Sequence, residues 1–141
     1  MKTVLFLCSG NYYRSRFAQI LFNHLAEQQR IDWTATSRGL RIGWPGNLGA
    51  MSKFTEQRLA KLGIGWDDCR HMPMQCRECD LKEADRVIAL KEAEHRAMLD
   101  KYHPGWSDRV EYWHVHDVDA ATPEAALKEI ERLVRDLIAK L

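Results

Sequence analysis

The chain has 141 residues, enough for one domain with its own hydrophobic core, and we expect residues 1–141 to form that domain. Its 21 lysines and arginines nearly balance 20 aspartates and glutamates, so no basic excess indicates a nucleic-acid partner. No apolar run approaches the ~20 residues that span a membrane. The first apolar run is also too short for a signal peptide. We therefore expect a cytoplasmic protein whose four cysteines are reduced.

The first half of the chain predicts a strand, a helix, a strand, a loop and a helix. Residues 3–7 form a short continuous apolar run, which is typical of a strand buried on both faces. Residues 15–29 place apolar side chains on one helical face, and residues 33–37 favour a second strand. Glycines and a proline mark residues 39–49 as a loop, and residues 51–62 predict a second helix.

The second half repeats this alternation and ends in a helix. Residues 81–84 favour a short helix, and residues 86–90 form another buried-strand pattern. A polar helix over residues 92–102 and a last strand over residues 110–115 follow. Thr122 and the proline after it then predict the start of a helix with a clear apolar stripe.

Strands that alternate with helices predict an α/β fold: one doubly wound domain, with a four-stranded parallel sheet and helices on both faces. In such folds, ligands bind beyond the carboxyl ends of the strands. Cys8 lies at that end of the first strand, and Asp117 lies just beyond the last one. We therefore expect the two residues to share one edge of the sheet.

The segment from Cys8 to Ser15 combines a nucleophile with a cradle for an anion. Because it lies between a strand and a helix, its backbone N–H groups can all point at one phosphate-sized dianion. Arg14 can bind two oxygens of that anion in a bidentate fork. The same positive surroundings favour Cys8 as the nucleophilic thiolate. This arrangement predicts phosphoryl transfer through a cysteinyl-phosphate; the alternative is that Cys8 is only a small buried apolar residue.

The same segment resembles the signature loop of the low-molecular-weight protein tyrosine phosphatases, usually written C-x-G-N-x-C-R-S. The resemblance extends over essentially the whole chain. Residues 37–39 stand in place of the family's Ser-Ala-Gly segment, and residues 84–90 resemble its central strand. Residues 113–117 and the final helix resemble its general-acid segment and C-terminus. The resemblance implies a phosphomonoesterase that needs no metal and no cofactor.

The resemblance also assigns roles to individual residues. Cys8 is the expected nucleophile, and Arg14 binds the phosphoryl oxygens together with the N–H groups of residues 9–15. The Ser15 hydroxyl is expected to bind the Cys8 sulfur and stabilise it as a thiolate. Asp117 is expected to protonate the leaving oxygen and then to activate water.

The remaining loop residues bind substrate or support the loop. Asn11 is expected to hold the loop in a left-handed conformation, which asparagine tolerates, with Ser37 as its hydrogen-bond partner. The residues expected to surround the substrate are Ser9, Gly10, Asn11, Tyr12, Tyr13 and Arg14. Phosphate, vanadate and sulfate are the expected active-site anions, and a phosphorylated protein or small phosphomonoester is the expected substrate.

Two departures from the family pattern concern the second signature cysteine and the acid loop. Tyr13 stands where the family usually has a cysteine, so the reversible disulfide with the nucleophile is absent. The family's acid is usually followed by proline and aromatic residues, whereas Asp117 is followed by Val118, Asp119 and two alanines. Asp117 is our first choice for the general acid, and Asp119 is the alternative.

A third departure concerns the walls of the cradle. Ser9 replaces a bulky apolar residue, and family members that act on phosphoarginine are similar in having a small hydroxyl residue there. A protein arginine phosphatase is therefore an alternative function. Tyr12 and Trp44 are expected either to wall the pocket or to be ordinary packing residues.

Further cysteines and histidines suggest other chemistry more weakly. Cys69, His71, Cys76 and Cys79 are four potential zinc ligands, but only the last pair has a familiar spacing. Arsenate reductases of this fold carry extra cysteines near the end of the central strand, which this chain lacks there. Arsenate reduction is thus a weaker alternative, as is a phosphate-binding module that has lost efficient turnover.

The histidine beside Asp117 and the charged residues at the start of the polar helix are expected to have modest roles. His116 could tune Asp117 through a hydrogen bond, although an exposed histidine is the simpler interpretation. Glu92, Glu94 and His95 are expected to form the solvated face of a polar helix.

Overall fold

The computed structural model describes residues 1–117 and 122–141. Within these residues, the strands are β1 (Lys2–Cys8), β2 (Trp33–Gly39), β3 (Arg86–Ala89) and β4 (Glu111–Tyr112). They form one sheet in the order β2-β1-β3-β4, and every neighbouring pair is parallel. The predicted α/β fold with a four-stranded parallel sheet is confirmed.

Helices follow the strands in the predicted order. The α-helices of the described residues are α1 (Arg14–Gln28), α2 (Lys53–Lys61), α3 (Glu78–Glu83), α4 (Glu92–Tyr102) and α5 (Pro123–Ala139). Short 3₁₀ helices lie at Asp67–Cys69 and Ser107–Arg109. None of the helices within residues 1–117 and 122–141 is long and apolar enough to cross a membrane.

Strand β1 separates two apolar cores. Because successive side chains of a strand point to opposite faces, Val4 and Phe6 join a cluster with α1 and α5. Leu5 and Leu7 join a second cluster, which includes Leu81 of α3 and Leu99 of α4. This burial on both faces explains why residues 3–7 are apolar without alternation.

Side-chain caps fix where two helices begin. The Ser52 hydroxyl accepts a hydrogen bond from the Phe54 N–H (3.2 Å), so α2 starts at Lys53 rather than at residue 51. The Thr122 hydroxyl accepts from the Ala125 N–H (3.2 Å), and Pro123 occupies the first helical position of α5. The predicted start of the last helix is confirmed.

The last strand is shorter than predicted. Strand β4 comprises two residues, whereas the sequence predicted a strand over residues 110–115. The chain still runs beside β3, because the Trp113 N–H donates to Ala89 O (2.9 Å) and the Val115 N–H to Leu90 O (2.7 Å). The regular ladder stops because β3 itself ends at Ala89. These bonds carry the chain to the carboxyl edge of the sheet, where Asp117 lies.

The cap of α5 gives a test of how this helix starts. We expect Thr122→Ala to lower the free energy of unfolding by about 1 kcal/mol, because the Ala125 N–H loses its acceptor. Thr122→Ser keeps the hydroxyl and should stay within a few tenths of a kcal/mol of wild type. Urea unfolding of the three proteins measures both values. Equal losses in the two variants would show that the hydroxyl does not cap the helix.

Candidate active site

The signature loop, residues 8–15, is fastened to the sheet edge through its backbone. Leu40 N–H donates to Cys8 O (2.9 Å), and Arg41 N–H donates to Ser9 O (2.9 Å). Gly39 makes this approach feasible, since a Cβ atom at that position would lie 2.8 Å from Ser9 O. Any side chain at residue 39 would therefore push the loop away from β2.

Cys8 lies at the base of the loop, and its sulfur is in contact with Ser15. The Cys8 side chain is 2% exposed, and its Sγ lies 2.8 Å from the Ser15 Oγ. Asn11 Nδ2 donates to the same Ser15 oxygen (3.0 Å). Because that oxygen accepts from Asn11, the Ser15 hydrogen is available to point at the sulfur. The predicted contact between Ser15 and Cys8 is present.

Asn11 supports the loop from within. Its φ angle is 49°, the left-handed conformation that the sequence predicted. Its Nδ2 donates to Ser37 Oγ (2.9 Å), which is the predicted partner. Its Oδ1 accepts from the Met74 N–H (2.9 Å), a bond that sequence analysis did not anticipate. Asn11 is fully buried, so each of these bonds replaces a lost contact with water.

Arg14 brings three parts of the chain together. Its side chain is 2% exposed, and its Nη1 and Nη2 donate to the two Glu94 carboxylate oxygens at 3.1 and 3.2 Å. Nη1 also donates to Val115 O (3.0 Å), and Nη2 lies 3.4 Å from Asp117 Oδ2. Burial disfavours the charged form, but the negative charges of Cys8 and Glu94 outweigh it and raise the pKa of Arg14.

The position of Glu94 and His95 corrects the prediction of a solvated face. Glu94 lines the cavity above Cys8, and His95 is fully buried. The Ser9 hydroxyl donates to Glu94 Oε1 and lies 3.1 Å from His95 Nε2. The prediction was wrong because α4 begins at the carboxyl end of β3, directly beside β1. A residue one turn into such a helix reaches the same edge as Cys8, and that placement was the signal available in the sequence.

The hydrogen bonds of His95 define its tautomer. The Lys91 N–H donates to His95 Nδ1 (3.0 Å), so Nδ1 is an acceptor and Nε2 carries the hydrogen. Nε2 can then donate to Ser9 Oγ, which in turn donates to Glu94. Burial, with the neighbouring positive charge of Arg14, lowers the pKa of His95 to about 3. The ring is therefore neutral at ordinary pH.

A cavity of about 840 Å³ opens above Cys8. Tyr12 and Trp44 both line it, which is the first of the two alternatives that the sequence left open for them. Tyr12 Oη donates to Leu48 O (2.6 Å) and accepts from the Leu48 N–H (3.1 Å). These bonds hold the glycine-rich loop at one side of the cavity, and Met98 of α4 lies at another.

Five of the other predicted site residues line the same cavity, whereas Asn11 and Ser15 are fully buried and do not. Ser9, Gly10, Tyr13, Arg14 and Asp117 all line it. Asp119, the alternative general acid, lies outside the described residues.

The surroundings of the other three cysteines differ from those of Cys8. Cys69 and Cys76 are buried, Cys79 is exposed, and burial raises the pKa of Cys76 to about 12. The His71 ring contacts Arg16 Nη1 at 2.9 Å. Among residues 1–117 and 122–141, no three histidine, cysteine or acidic side chains are grouped as metal ligands.

The buried neutral histidine predicts a dependence of stability on pH. An unfolded histidine with the ordinary pKa of 6.5 binds a proton that folded His95 does not bind until about pH 3. The free energy of unfolding should therefore fall as the pH drops below 6.5, with His95 contributing a slope of up to about 1.4 kcal/mol per pH unit. His95→Asn should remove this component. Urea unfolding between pH 7 and pH 4 gives the slopes, and identical slopes for both proteins would contradict the assignment.

Comparison with known proteins places this geometry in a family. The family model described as low molecular weight phosphotyrosine protein phosphatase matches residues 3–141. The low molecular weight protein-tyrosine-phosphatase YfkJ of Bacillus subtilis (strain 168) is 33% identical over an alignment of 95 residues, which covers 64% of this chain and 56% of that protein. This alignment thus spans little more than half of the relative's own length.

Solved structures show the same fold over the full chain. The crystal structure of YfkJ from Bacillus subtilis matches with a TM-score of 0.84 and 26% identity, covering 99% of this chain and 94% of that one. The low molecular weight protein tyrosine phosphatase from T. tengcongensis matches with a TM-score of 0.81 and 30% identity, covering 100% of both chains. Since the family model matches nearly every residue, the protein belongs to the low molecular weight phosphotyrosine protein phosphatase family, as its signature loop predicted.

Proposed function

We propose that this protein is a cysteine-dependent phosphomonoesterase that removes phosphate from phosphotyrosine in proteins. The observation that carries the proposal is the convergence of three groups at the base of one cavity. Cys8 Sγ lies 2.8 Å from the Ser15 hydroxyl, and the buried Arg14 guanidinium reaches Asp117 at 3.4 Å. A nucleophile, an anion-binding cation and a carboxylate acid are the groups that phosphoryl transfer to sulfur requires.

In the first step, the Cys8 sulfur attacks phosphorus and a P–S bond forms while the bond to the leaving oxygen breaks. The Asp117 carboxyl group gives its proton to that oxygen, so the leaving group departs as a neutral hydroxyl. The backbone N–H groups of the loop and Arg14 bind the phosphoryl oxygens. Glu94 occupies the Nη1–Nη2 edge of the guanidinium, so the Nε–Nη2 edge is the one we assign to the phosphoryl group.

In the second step, water replaces the sulfur. The Asp117 carboxylate takes a proton from the water as its oxygen bonds to phosphorus, and the P–S bond breaks. The Ser15 hydroxyl donates to the departing Cys8 sulfur, and inorganic phosphate leaves the cavity. Asp117 is again protonated and ready for the next substrate. Phosphate, vanadate and sulfate are the anions that we expect to bind in the same cradle.

The walls of the cavity favour an aryl phosphate. Tyr12, Trp44 and Met98 present apolar surface above Cys8, which suits an aromatic ring. Phosphoarginine was suggested by the small hydroxyl residue at position 9. However, that hydroxyl bonds to Glu94 and His95, which both belong to α4. These bonds explain a serine at position 9 without reference to the substrate. We therefore keep phosphotyrosine as the proposed substrate, and a cytoplasmic setting because the nucleophilic thiol must stay reduced.

Hydrolysis of an aryl phosphate by single variants tests the proposal. We expect Cys8→Ser to abolish turnover in the presence of EDTA, because a serine hydroxyl replaces the sulfur nucleophile. Asp117→Asn should lower kcat on the order of a hundredfold or more, because the leaving oxygen loses its proton donor. Asp119→Asn, two residues away with the same change of charge, should stay close to wild type. Steady-state kinetics on the four proteins measures these effects.

Other outcomes would point to other functions. Wild type without turnover, but with saturable vanadate binding, would replace the enzyme with a phosphate-binding module. A large loss in Asp119→Asn and a small one in Asp117→Asn would transfer the role of general acid. Faster turnover of phosphoarginine than of phosphotyrosine peptides would overturn the proposed substrate.

A further inference from the structure

We propose that Tyr13 positions the general acid by holding the first turn of α5 against the signature loop. The proposal rests on the proposed function, because it takes Asp117 as the acid. The family usually has a cysteine at this position, so the proposed role depends on a residue that distinguishes this chain from the usual family pattern.

Tyr13 is itself firmly held. Its carbonyl oxygen accepts from Thr55 Oγ1 (3.1 Å) and from the Phe17 N–H (3.2 Å), so both α2 and α1 fix its backbone. Its side chain is 7% exposed and lies in the larger of the two apolar cores. A residue fixed on both sides in this way can transmit its position to whatever its phenol binds.

The phenol binds the start of α5. Tyr13 Oη donates to Pro123 O at 3.2 Å, and Pro123 is the first residue of that helix. The carbonyl of a first helical residue has two lone pairs, so it can accept this bond in addition to a bond within the helix. The contact joins the signature loop to the point where the chain enters the last helix.

Adjacent residues of the loop therefore hold the chain on both sides of residues 118–121. On the entry side, Arg14 donates to Val115 O (3.0 Å) and contacts Asp117 at 3.4 Å. On the exit side, Tyr13 donates to Pro123 O. Residues 13 and 14 are consecutive, so both attachments come from the signature loop. The same loop carries the nucleophile, and its contacts therefore set the position of the acid relative to Cys8.

Tyr13 and Asp117 line the same cavity, and the charge of Asp117 acts on the phenol. Burial, followed by the negative charge of Asp117, raises the pKa of Tyr13 to about 12. The phenol thus keeps its hydrogen over the whole range in which an enzyme of this kind is assayed. Its bond to Pro123 is always that of a donor.

Such a restraint is useful in this chain because its acid loop lacks the usual proline. Val118 follows Asp117 where the family usually has proline, and valine lacks the ring by which proline fixes the φ angle. A misplacement of about 1 Å of a reacting group can cost on the order of a hundredfold in rate. The Tyr13–Pro123 bond supplies from outside the loop a restraint that proline supplies from within.

The experiment compares Tyr13→Phe on a poor and a good leaving group. A general acid matters for phenyl phosphate, whose phenolate leaves badly, and hardly at all for 2,4-dinitrophenyl phosphate. We expect Tyr13→Phe to lower kcat/KM for phenyl phosphate by about tenfold or more and to change that for dinitrophenyl phosphate by less than about threefold. In the Asp117→Asn background, Tyr13→Phe should cause no further loss on phenyl phosphate.

The control is Tyr112→Phe, which removes a similar bond from a tyrosine outside the cavity. Tyr112 Oη donates to Ser107 O at 2.7 Å. This variant should leave both substrates unchanged. Tyr13→Cys, which carries the usual family residue, provides a second variant without the phenol and should show the same discrimination between substrates if Tyr13→Phe does not fold.

Each result decides the proposal. Equal losses on both substrates, or no loss on either, would overturn the positioning role and leave the phosphatase assignment intact. A loss that persists in the Asp117→Asn background would also overturn it, since the effect would not act through the acid. Wild type that turns over neither substrate would instead overturn the proposed function itself.

Discussion

The pairing of Arg14 with Glu94 sets the geometry on which the rest of the site depends. A guanidinium that is 2% exposed must find partners, because an unpaired buried charge is costly. Glu94 supplies a bidentate partner from α4, and Val115 and Asp117 supply oxygens from the segment beyond β4. One cation thus fixes the relative positions of the nucleophile loop and the acid segment.

The Arg14–Glu94 pair fixes the geometry of the site more than it stabilises the folded state. The desolvation of two charges offsets most of their attraction, so a buried pair adds little net stability. Removal of one partner alone costs about 3–5 kcal/mol in typical proteins, since it strands the other charge. The pair therefore penalises departures from one arrangement without adding much to the folded state. That property suits a site in which a guanidinium must offer the same edge in every turnover.

The sequence predicted well what local patterns determine. Cys8, Asn11 and Ser15 lie within eight residues of one loop between a strand and a helix, and the resemblance of that loop to the family signature predicted the Ser15–Cys8 and Asn11–Ser37 contacts. The contribution of Glu94 could not be predicted from charge pattern, because a carboxylate on a polar helix usually faces water. Only the order of the strands, with β3 beside β1, brings the first turn of α4 to Cys8. The length of β4 could likewise not be predicted from its own residues, because it depends on where β3 ends.

The bonds among Ser9, Glu94 and His95 limit which side chains position 9 of this chain can carry. The Ser9 hydroxyl donates to Glu94 and accepts from His95, so this one group satisfies a hydrogen-bonding atom of each. A bulky apolar residue at position 9 would leave the partly exposed Glu94 carboxylate and the buried His95 imidazole without their common partner. The three residues therefore act as one hydrogen-bonded unit. A signature loop with a bulky residue at position 9 should fit this chain only if residues 94 and 95 are exchanged together with it.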